Sequence, residues 1–230
     1  MTTSMKSRNS SSNSNSVRIS KNTLSILKNF STINSNLLVR PGNKISTIAP
    51  GKNMMAEAIV DETFETQFGI WDLNKFLGVV SLFTDPLMTF HEKYVDIQGA
   101  DSKVKYFYSE PSLLTVPTKT VKMPETVSVF SVYQDSFTQM LKASSVLQLP
   151  QITFISDENG LSAKLHDEDD ETSNNYTVSL GDSSTEFEVT FDMEHLRLLP
   201  GDYEVTVSQG PVVQFKNLSI DLTYWIAVKS

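Results

Sequence analysis

The chain has 230 residues, of which 39% are hydrophobic, and a formal net charge of −8 at pH 7. That length accommodates one or two domains with a packed core. It contains no cysteine, which excludes a disulfide framework, a thiolate nucleophile and a zinc–thiolate site. No apolar run reaches the roughly 18 to 20 residues that a membrane-spanning helix requires.

The charge is divided unevenly along the chain. Residues 17–125 hold 12 basic and 11 acidic residues, whereas residues 126–230 hold 5 basic and 16 acidic ones. The first 16 residues are rich in serine and asparagine and contain two basic residues and no acid. Such a segment cannot bury enough apolar surface to offset the entropy of ordering, so residues 1–16 are predicted to be a disordered tail.

Four helices are predicted, because capping residues precede apolar residues at helical spacing. The caps are Ser20, Asp72 and Asp192, and the third helix follows a strand-like segment that ends near Tyr133. The predicted spans are Lys21–Ile33, Leu73–Leu82 and Ser136–Leu147, with a short fourth helix that Pro200-Gly201 ends.

Strand-like segments alternate with these helices. Residues 37–39 and 45–48 flank a turn sequence, as do residues 151–156 and 161–165, so each half is predicted to contain a hairpin. Residues 109–126 contain three prolines and no periodicity, which is typical of an extended connector. The chain is therefore predicted to be α+β, with a tail at 1–16, domains at 17–108 and 127–230, and a connector at 109–126.

The two halves repeat one order of elements. Residues 25–33 align with residues 139–147 and share a Leu-Lys pair. Trp71-Asp72 aligns with Phe191-Asp192, at the start of a predicted helix in both halves. Two similar domains in tandem are the simplest explanation of this shared order.

No catalytic or metal-binding motif accompanies the titratable residues. His91, His166 and His195 are the only histidines, and they belong to no nucleophile elbow or paired-histidine motif. The acidic run at residues 166–171 lacks the central glycine of a calcium loop, so a solvated loop is favoured. We expect no catalytic residue, metal or cofactor. A hydrolase using His91 or His166 would require converging polar groups, which the sequence does not indicate.

Two segments carry a resemblance to a known family. Residues 26–35 read ILKNFSTINS and residues 72–82 read DLNKFLGVVSL, and similar turns occur at Leu180-Gly181-Asp182 and Pro200-Gly201-Asp202-Tyr203. These segments resemble the sliding clamps of T-even-like tailed bacteriophages. The chain departs from that pattern at Lys75, where glycine is expected.

The resemblance implies a homotrimeric ring closed head to tail. Each subunit would have two DNA-clamp (processivity-fold) domains, with the sheets outside and the helices lining a hole around double-stranded DNA. The implied partners are an ATP-dependent clamp loader, the replicative DNA polymerase and late-transcription factors, all in the host cytoplasm. The alternative is a two-domain phage structural or interaction protein that does not encircle DNA.

Basic residues on the predicted helices are the candidate DNA contacts. Non-specific attraction to phosphates permits sliding, because it carries no sequence information. The alternative is that lysines simply coat exposed helices. The DNA-facing candidates are Lys21, Lys28, Lys75, Lys142 and Arg197.

Two strands are the candidates for the subunit junction. By family analogy, Lys103–Tyr108 would pair with Tyr176–Leu180 of the next subunit, with Lys103 and Lys105 facing its acidic second domain. The alternative is that both are ordinary strands of one chain. The candidate contact residues are Lys103, Lys105, Tyr106, Tyr108, Tyr176, Val178 and Leu180.

A partner pocket is expected beside the connector. Its candidate residues are Val121, Met123, Tyr224 and Trp225, since aromatic residues and methionine suit an adaptable binding surface. The alternative for these four side chains is core packing.

Overall fold

The computed structural model describes residues 15–170, 172–183 and 185–229. The first half contains β1 (Ser16–Val17), α1 (Lys21–Ile33), β2 (Leu37–Val39), β3 (Gly42–Ile48), β4 (Met54–Phe64), β5 (Phe68–Ile70), α2 (Leu73–Val80), β6 (Leu87–Phe90), β7 (Tyr94–Gln98) and β8 (Lys103–Phe107). The second contains β9 (Thr126–Val132), α3 (Gln134–Leu147), β10 (Gln151–Asp157), β11 (Gly160–His166), β12 (Tyr176–Gly181), β13 (Phe187–Asp192), β14 (Tyr203–Ser208), β15 (Val212–Asn217) and β16 (Leu222–Ala227). Short 3₁₀ turns occur at Pro111–Leu113 and Met193–His195.

Local side-chain chemistry fixes the starts of the helices. Ser20 accepts a hydrogen bond from the Thr23 amide at 3.1 Å, and Asp72 accepts one from the Lys75 amide at 2.9 Å. Each bond satisfies an amide that has no partner within the helix. Tyr133 at the start of α3 makes no such bond, and Asp202 accepts the Gln134 amide at 2.8 Å instead.

The strands form three main antiparallel sheets. Two have four strands each, in the orders β1-β6-β7-β8 and β12-β11-β10-β13. The third has six strands, in the order β3-β4-β16-β15-β14-β9, and therefore joins the two halves. The joining pair runs from Leu222 opposite Ala58 to Ile226 opposite Met54. β2 and β5 form a separate two-stranded sheet.

The sheet topology contains the tandem repeat. The order β1-β6-β7-β8 in the first half corresponds to β9-β14-β15-β16 in the second, since in each half the strand before the first helix pairs with the first of three consecutive strands at the end of the domain. One feature breaks the equivalence. β16 pairs with β4 of the same chain, whereas its counterpart β8 has one edge without a strand in the described part of the chain.

One hydrophobic core extends through both halves. Ile26 and Phe30 of α1 are fully buried, and in the second half Phe191 packs edge-on against Phe154 and Phe215, with ring centroids 6.1 and 5.9 Å apart. α3 buries only Phe137 and Met140 of its 14 residues, and Leu141 is 40% exposed. The predicted apolar stripe of this helix is therefore only partly buried.

Some local predictions are corrected. The predicted hairpin around residues 40–44 is wrong, because β2 pairs with β5 and β3 pairs with β4. The predicted fourth helix is a single 3₁₀ turn at Met193–His195, where Asp192 makes no capping hydrogen bond. The hairpin of β10 and β11 is confirmed. Ser16 of the predicted tail lies in β1, and residues 1–14 lie outside the described residues.

Hydrogen bonds from one buried tyrosine also connect the halves. The Tyr224 hydroxyl donates to Asn29 Oδ1 at 2.7 Å and accepts from the Leu199 amide at 3.0 Å. Asn29 Nδ2 in turn donates to the Arg197 carbonyl at 2.9 Å. Burial raises the pKa of Tyr224 far above its ordinary value, so the hydroxyl keeps its proton as a donor. α1 is thereby attached to the second half.

We expect the Tyr224→Phe variant to have a lower free energy of unfolding by about 1–3 kcal/mol, because Asn29 and the Leu199 amide lose a buried partner. Urea denaturation followed by circular dichroism measures this change. The matched control is Tyr133→Phe, since Tyr133 is 60% exposed. A Tyr224 variant as stable as this control would show that the hydroxyl does not stabilise the junction between the halves.

Candidate functional site

The three α-helices present a basic surface in an acidic protein. Lys21 and Lys28 are exposed on α1, where they lie two turns apart, and Lys75 and Lys142 are exposed on α2 and α3. Of the chain's 27 acidic residues, only Asp135 lies within these helices. The other side chains of the exposed faces are mainly small or uncharged and polar. This surface can attract phosphates without reading bases.

A buried carboxylate holds the N-terminal end of α1 on the sheet. Glu62 of β4 is only 7% exposed and accepts hydrogen bonds from the Ser20 amide and the Thr23 hydroxyl. A negative charge at this end of a helix is also favourable to the helix dipole. Glu62 therefore fixes the end of the helix from which Lys21 projects.

Arg197 was predicted to lie on a helix with these lysines, but it lies outside the three α-helices. It lies two residues beyond the 3₁₀ turn, and its guanidinium donates to the carbonyls of Thr32 at 2.5 Å and Glu194 at 2.8 Å. Its position near the end of α1 satisfies a carbonyl that the helix leaves without an amide partner. Arg197 thus supports α1, and its predicted helical placement is wrong because the fourth helix stops after one turn.

β8 is a terminal strand with no partner on one side among the described residues, and its exposed and partly buried side chains alternate. Lys103, Lys105 and Phe107 are exposed on one face, with Phe107 66% exposed. On the other face, Tyr106 packs edge-on against Phe76 of α2, with ring centroids 5.2 Å apart. The unpaired backbone groups of such an edge can form hydrogen bonds with a strand from another chain. Phe107 was not among the predicted contacts, although the alternation in KVKYF could have indicated it.

The two lysines of β8 already interact with the neighbouring strand. Lys103 Nζ lies 2.7 Å from Asp96 Oδ2, and the Lys105 ammonium lies 4.2 Å from the centre of the Tyr94 ring. Burial acts to raise the pKa of Asp96, but hydrogen bonding and charge from Lys103 and His91 hold this pKa below its ordinary value. Tyr108, just beyond the strand, stacks on Phe68 at 5.4 Å and belongs to the core of its own domain.

We expect charge reversal at Lys103 to destabilise the isolated subunit. Lys103→Glu places a second carboxylate beside the nearly buried Asp96, and we expect a loss of about 1–2 kcal/mol in unfolding free energy. Lys105→Glu removes only the contact with the Tyr94 ring and should cost less than about 1 kcal/mol. Urea denaturation of the two variants compares these effects, and equal stabilities would contradict a structural role for the Lys103–Asp96 pair.

β12 is one of the two terminal strands of the four-stranded sheet in the second half. Tyr176, Val178 and Leu180 are partly buried and pack against the core, and α3 lies over this side of the sheet. Thr177 and Ser179 point to the outer face. The described acids nearest to β12 along the chain lie beyond its two ends, in residues 167–170 and at Asp182, so the outer face of β12 itself carries no charge.

A groove of about 540 Å³ lies on the outer side of the sheet that joins the halves. The connector forms one wall with Val116, Pro117 and Val121. Its position is fixed by hydrogen bonds: Asn34 Nδ2 donates to the Thr115 carbonyl at 2.9 Å, and the Thr115 amide donates to Asn36 at 3.0 Å. The floor comes from neighbouring strands and includes Met55, Val212, Trp225 and Ala227.

Two of the four predicted pocket residues line this groove. Val121 and Trp225 do so, whereas Met123 does not, and Tyr224 is fully buried on the other side of the sheet. Successive residues of a strand point to opposite faces, so Tyr224 and Trp225 cannot share one pocket. The prediction was wrong for Tyr224 for this reason. It also missed Lys52 and Lys119 at the groove.

The histidines make structural contacts. His91 lies 3.1 Å from Asp96, His166 lies 2.8 Å from the Thr153 hydroxyl, and His195 lies 2.5 Å from the Asn53 amide nitrogen. In the residues that the structure describes, no three His, Cys, Asp or Glu side chains form a group able to hold a metal ion. Among the same residues, no helix has the length and apolar character needed to cross a membrane.

Comparison with solved structures identifies the fold class of the chain. The chain superposes on the crystal structure of PCNA from Thermococcus kodakaraensis with a TM-score of 0.70, at 11% identity, over 93% of this chain and 99% of that one. It matches A. fulgidus PCNA bound to the C-terminal region of FEN-1 with a TM-score of 0.68, at 12% identity, over 94% and 98% of the two chains. The predicted fold class, two α+β clamp domains in tandem, is confirmed.

Comparison of the sequence with those of other proteins then identifies a more specific group of relatives within this fold class. The chain is 26% identical over 222 residues to the sliding clamp of Vibrio phage KVP40, covering 93% of this chain and all of that protein. It is 29% identical over 196 residues to the sliding clamp of Enterobacteria phage T4, covering 82% and 86% of the two chains. No family model matches the chain. The resemblance to the sliding clamps of T-even-like phages is thereby confirmed.

Proposed function

We propose that three copies of this chain form a head-to-tail ring around double-stranded DNA. The observation that carries the proposal is a difference in pairing between β16 and β8, which are equivalent strands of the two halves. β16 ends the second domain and pairs antiparallel with β4 of the first. Its counterpart β8 ends the first domain and, like β12 of the second domain, has one edge without a partner among the described residues. If β8 pairs with β12 of the next copy, the contact between subunits resembles the β16–β4 pairing within one chain. In both cases the last strand of one domain pairs with a strand of another domain.

The helices then line the hole, with Lys21, Lys28, Lys75 and Lys142 directed toward the phosphates. Attraction of this kind holds the duplex loosely and permits sliding, because it is independent of sequence. The acidic remainder of the chain lies on strands and loops, where it repels duplex outside the ring. The isolated protein is therefore expected to bind short linear duplex weakly.

The proposal extends to the partners. The ring tethers the replicative DNA polymerase for processive synthesis, is opened by an ATP-dependent clamp loader and serves as a co-activator of late transcription, all in the cytoplasm of the phage's host. It has no catalytic role of its own. The groove lined by Val121 and Trp225 is the proposed docking site for these proteins, since it is apolar, concave and flanked by the connector.

Cysteine cross-linking tests the ring directly, because the natural chain has no cysteine. The variant carries Lys105→Cys and Ser179→Cys, one change on each free edge, at exposed positions. It is assembled in the presence of a nicked circular plasmid and treated with a short bismaleimide. A closed covalent trimer that stays with the plasmid in denaturant, and is released when the plasmid is linearised, is the expected result.

Each single-cysteine variant provides a matched control, because a link between β8 and β12 requires both positions. The wild-type chain is also expected to sediment as a trimer at micromolar concentration. A monomer in sedimentation together with no covalent trimer would overturn the proposed ring. A covalent trimer that never remains on circular DNA would favour the alternative of a phage structural or interaction protein.

A further inference from the structure

The groove beside the connector is positively charged, whereas the chain as a whole has a net negative charge. Fifteen residues line it, and the only titratable side chains among them are Lys52 and Lys119. Both are exposed, and neither ammonium group makes an ion pair within the described ranges. In a protein of net charge −8, an apolar groove with two free cations and no carboxylate is an unusual local environment.

The two lysines approach the groove from different segments. Lys52 lies in the β3–β4 turn with a φ of 57°, a left-handed conformation that is uncommon for a residue with a side chain. The turn is closed by a hydrogen bond from the Lys52 amide to the Ala49 carbonyl at 2.8 Å. Lys119 belongs to the connector wall. A segment bound between them therefore has a cation available from the turn and another from the connector.

A third polar group remains at the floor. Trp225 lines the groove, and its indole Nε1–H is shielded from solvent without an acceptor among the described residues. A shielded donor without a partner is unfavourable. The groove thus offers two cations to a ligand, while its remaining lining is apolar or neutral.

We infer that the groove selects a short apolar segment of a partner protein flanked by carboxylates. This inference rests on the proposed docking role of the groove and specifies the chemistry of the occupant. The apolar side chains contact Met55, Val212 and the Trp225 ring. The flanking carboxylates pair with Lys52 and Lys119, which give preference over neutral or basic segments with the same apolar core.

Tryptophan fluorescence provides the test, because the chain has only two tryptophans. Trp71→Phe, at an exposed position, leaves Trp225 in the groove as the sole reporter. Three synthetic peptides share a core of two leucines and two phenylalanines and carry pairs of aspartate, asparagine or lysine on both sides. The aspartate peptide is expected to bind about three- to tenfold more tightly than the asparagine peptide at low ionic strength, and the lysine peptide more weakly than both.

The lysines are tested in the same background. Lys52→Gln with Lys119→Gln is expected to abolish the difference between the aspartate and asparagine peptides. Lys216→Gln is the matched control, since Lys216 is exposed on the outer face of β15 but does not line the groove, and it should leave the difference intact. Added salt should reduce the preference in the parent protein.

Equal affinity for the aspartate and asparagine peptides, or tighter binding of the lysine peptide, would overturn the inference. So would the absence of any change in Trp225 fluorescence with all three peptides. None of these three results tests ring closure, which the cysteine cross-link measures separately. Failure of the cross-link with a preserved aspartate preference would overturn the ring and leave the selectivity of the groove standing.

Discussion

The Phe107→Asp variant is expected to dissociate the ring into folded monomers. Phe107 is 66% exposed at the free edge of β8, so its replacement leaves the core of the subunit unchanged. In the proposed junction this side chain becomes covered, and burying a phenylalanine contributes about 1.5–3 kcal/mol. Each of three junctions would then weaken by roughly ten- to a hundredfold. Sedimentation across a concentration series measures the loss of trimer.

Leu218→Asp is the matched control for this variant. Leu218 is 52% exposed but lies in the turn before β16, outside β8 and β12. It also replaces an exposed apolar side chain with aspartate, and it should remain trimeric. Urea denaturation confirms that the Phe107 variant is still folded. If the two variants assemble equally well, β8 does not provide the subunit contact, and pairing between β8 and β12 must be abandoned.

The triple variant Lys21→Glu, Lys28→Glu, Lys142→Glu is expected to form rings that no longer collect DNA. These residues are exposed on α1 and α3, so the fold and both free edges are preserved. Each phosphate contact contributes about 0.9 to the slope of log affinity against log salt, and a ring would lose up to three such contacts per subunit. We expect at least about a tenfold fall in plasmid-trapped covalent trimer at low salt.

The control reverses the same number of charges on the other side of the molecule. Lys122, Lys164 and Lys216 are exposed on the connector and on the outer faces of β11 and β15. Their triple replacement by glutamate changes the net charge equally but leaves the helices unaltered. An equal reduction in trapped trimer for both triple variants would mean that total charge, and not the helical surface, governs encirclement of DNA.

The parts of the fold that were predictable depend on contacts close in sequence. α1 and α2 begin at Ser20 and Asp72, because each cap bonds an amide three residues ahead. The hairpin of β10 and β11 is fixed by its own short turn. The lysines on α1, α2 and α3 could be assigned to exposed helix faces for the same reason, since helical spacing alone separates them from the apolar stripe.

Other predictions failed where a distant partner decided the outcome. Residues 37–39 bond to residues 68–70 instead of the adjacent strand, so the expected hairpin does not form. Asp72 and Asp192 occupy equivalent places in the repeat, yet only Asp72 caps an α-helix, while Asp192 lies 3.6 Å from Lys229. Neither difference has a local signal, because the competing contacts come from remote parts of the chain.

The sequence by itself determined the three α-helices, their lysines, the tandem order of elements and the resemblance to phage sliding clamps. Only the tertiary structure decided which strands are paired and which remain free. β16 pairs with β4 across more than 150 residues of chain, whereas β8 and β12 each have one unpaired edge in the part of the chain that the structure describes. Tertiary packing also placed Trp225 in the groove and Tyr224 in the core, and it brought Lys52 and Lys119 to the same groove. Strand partners and grooves arise from contacts between segments far apart in sequence, and local periodicity carries no information about them.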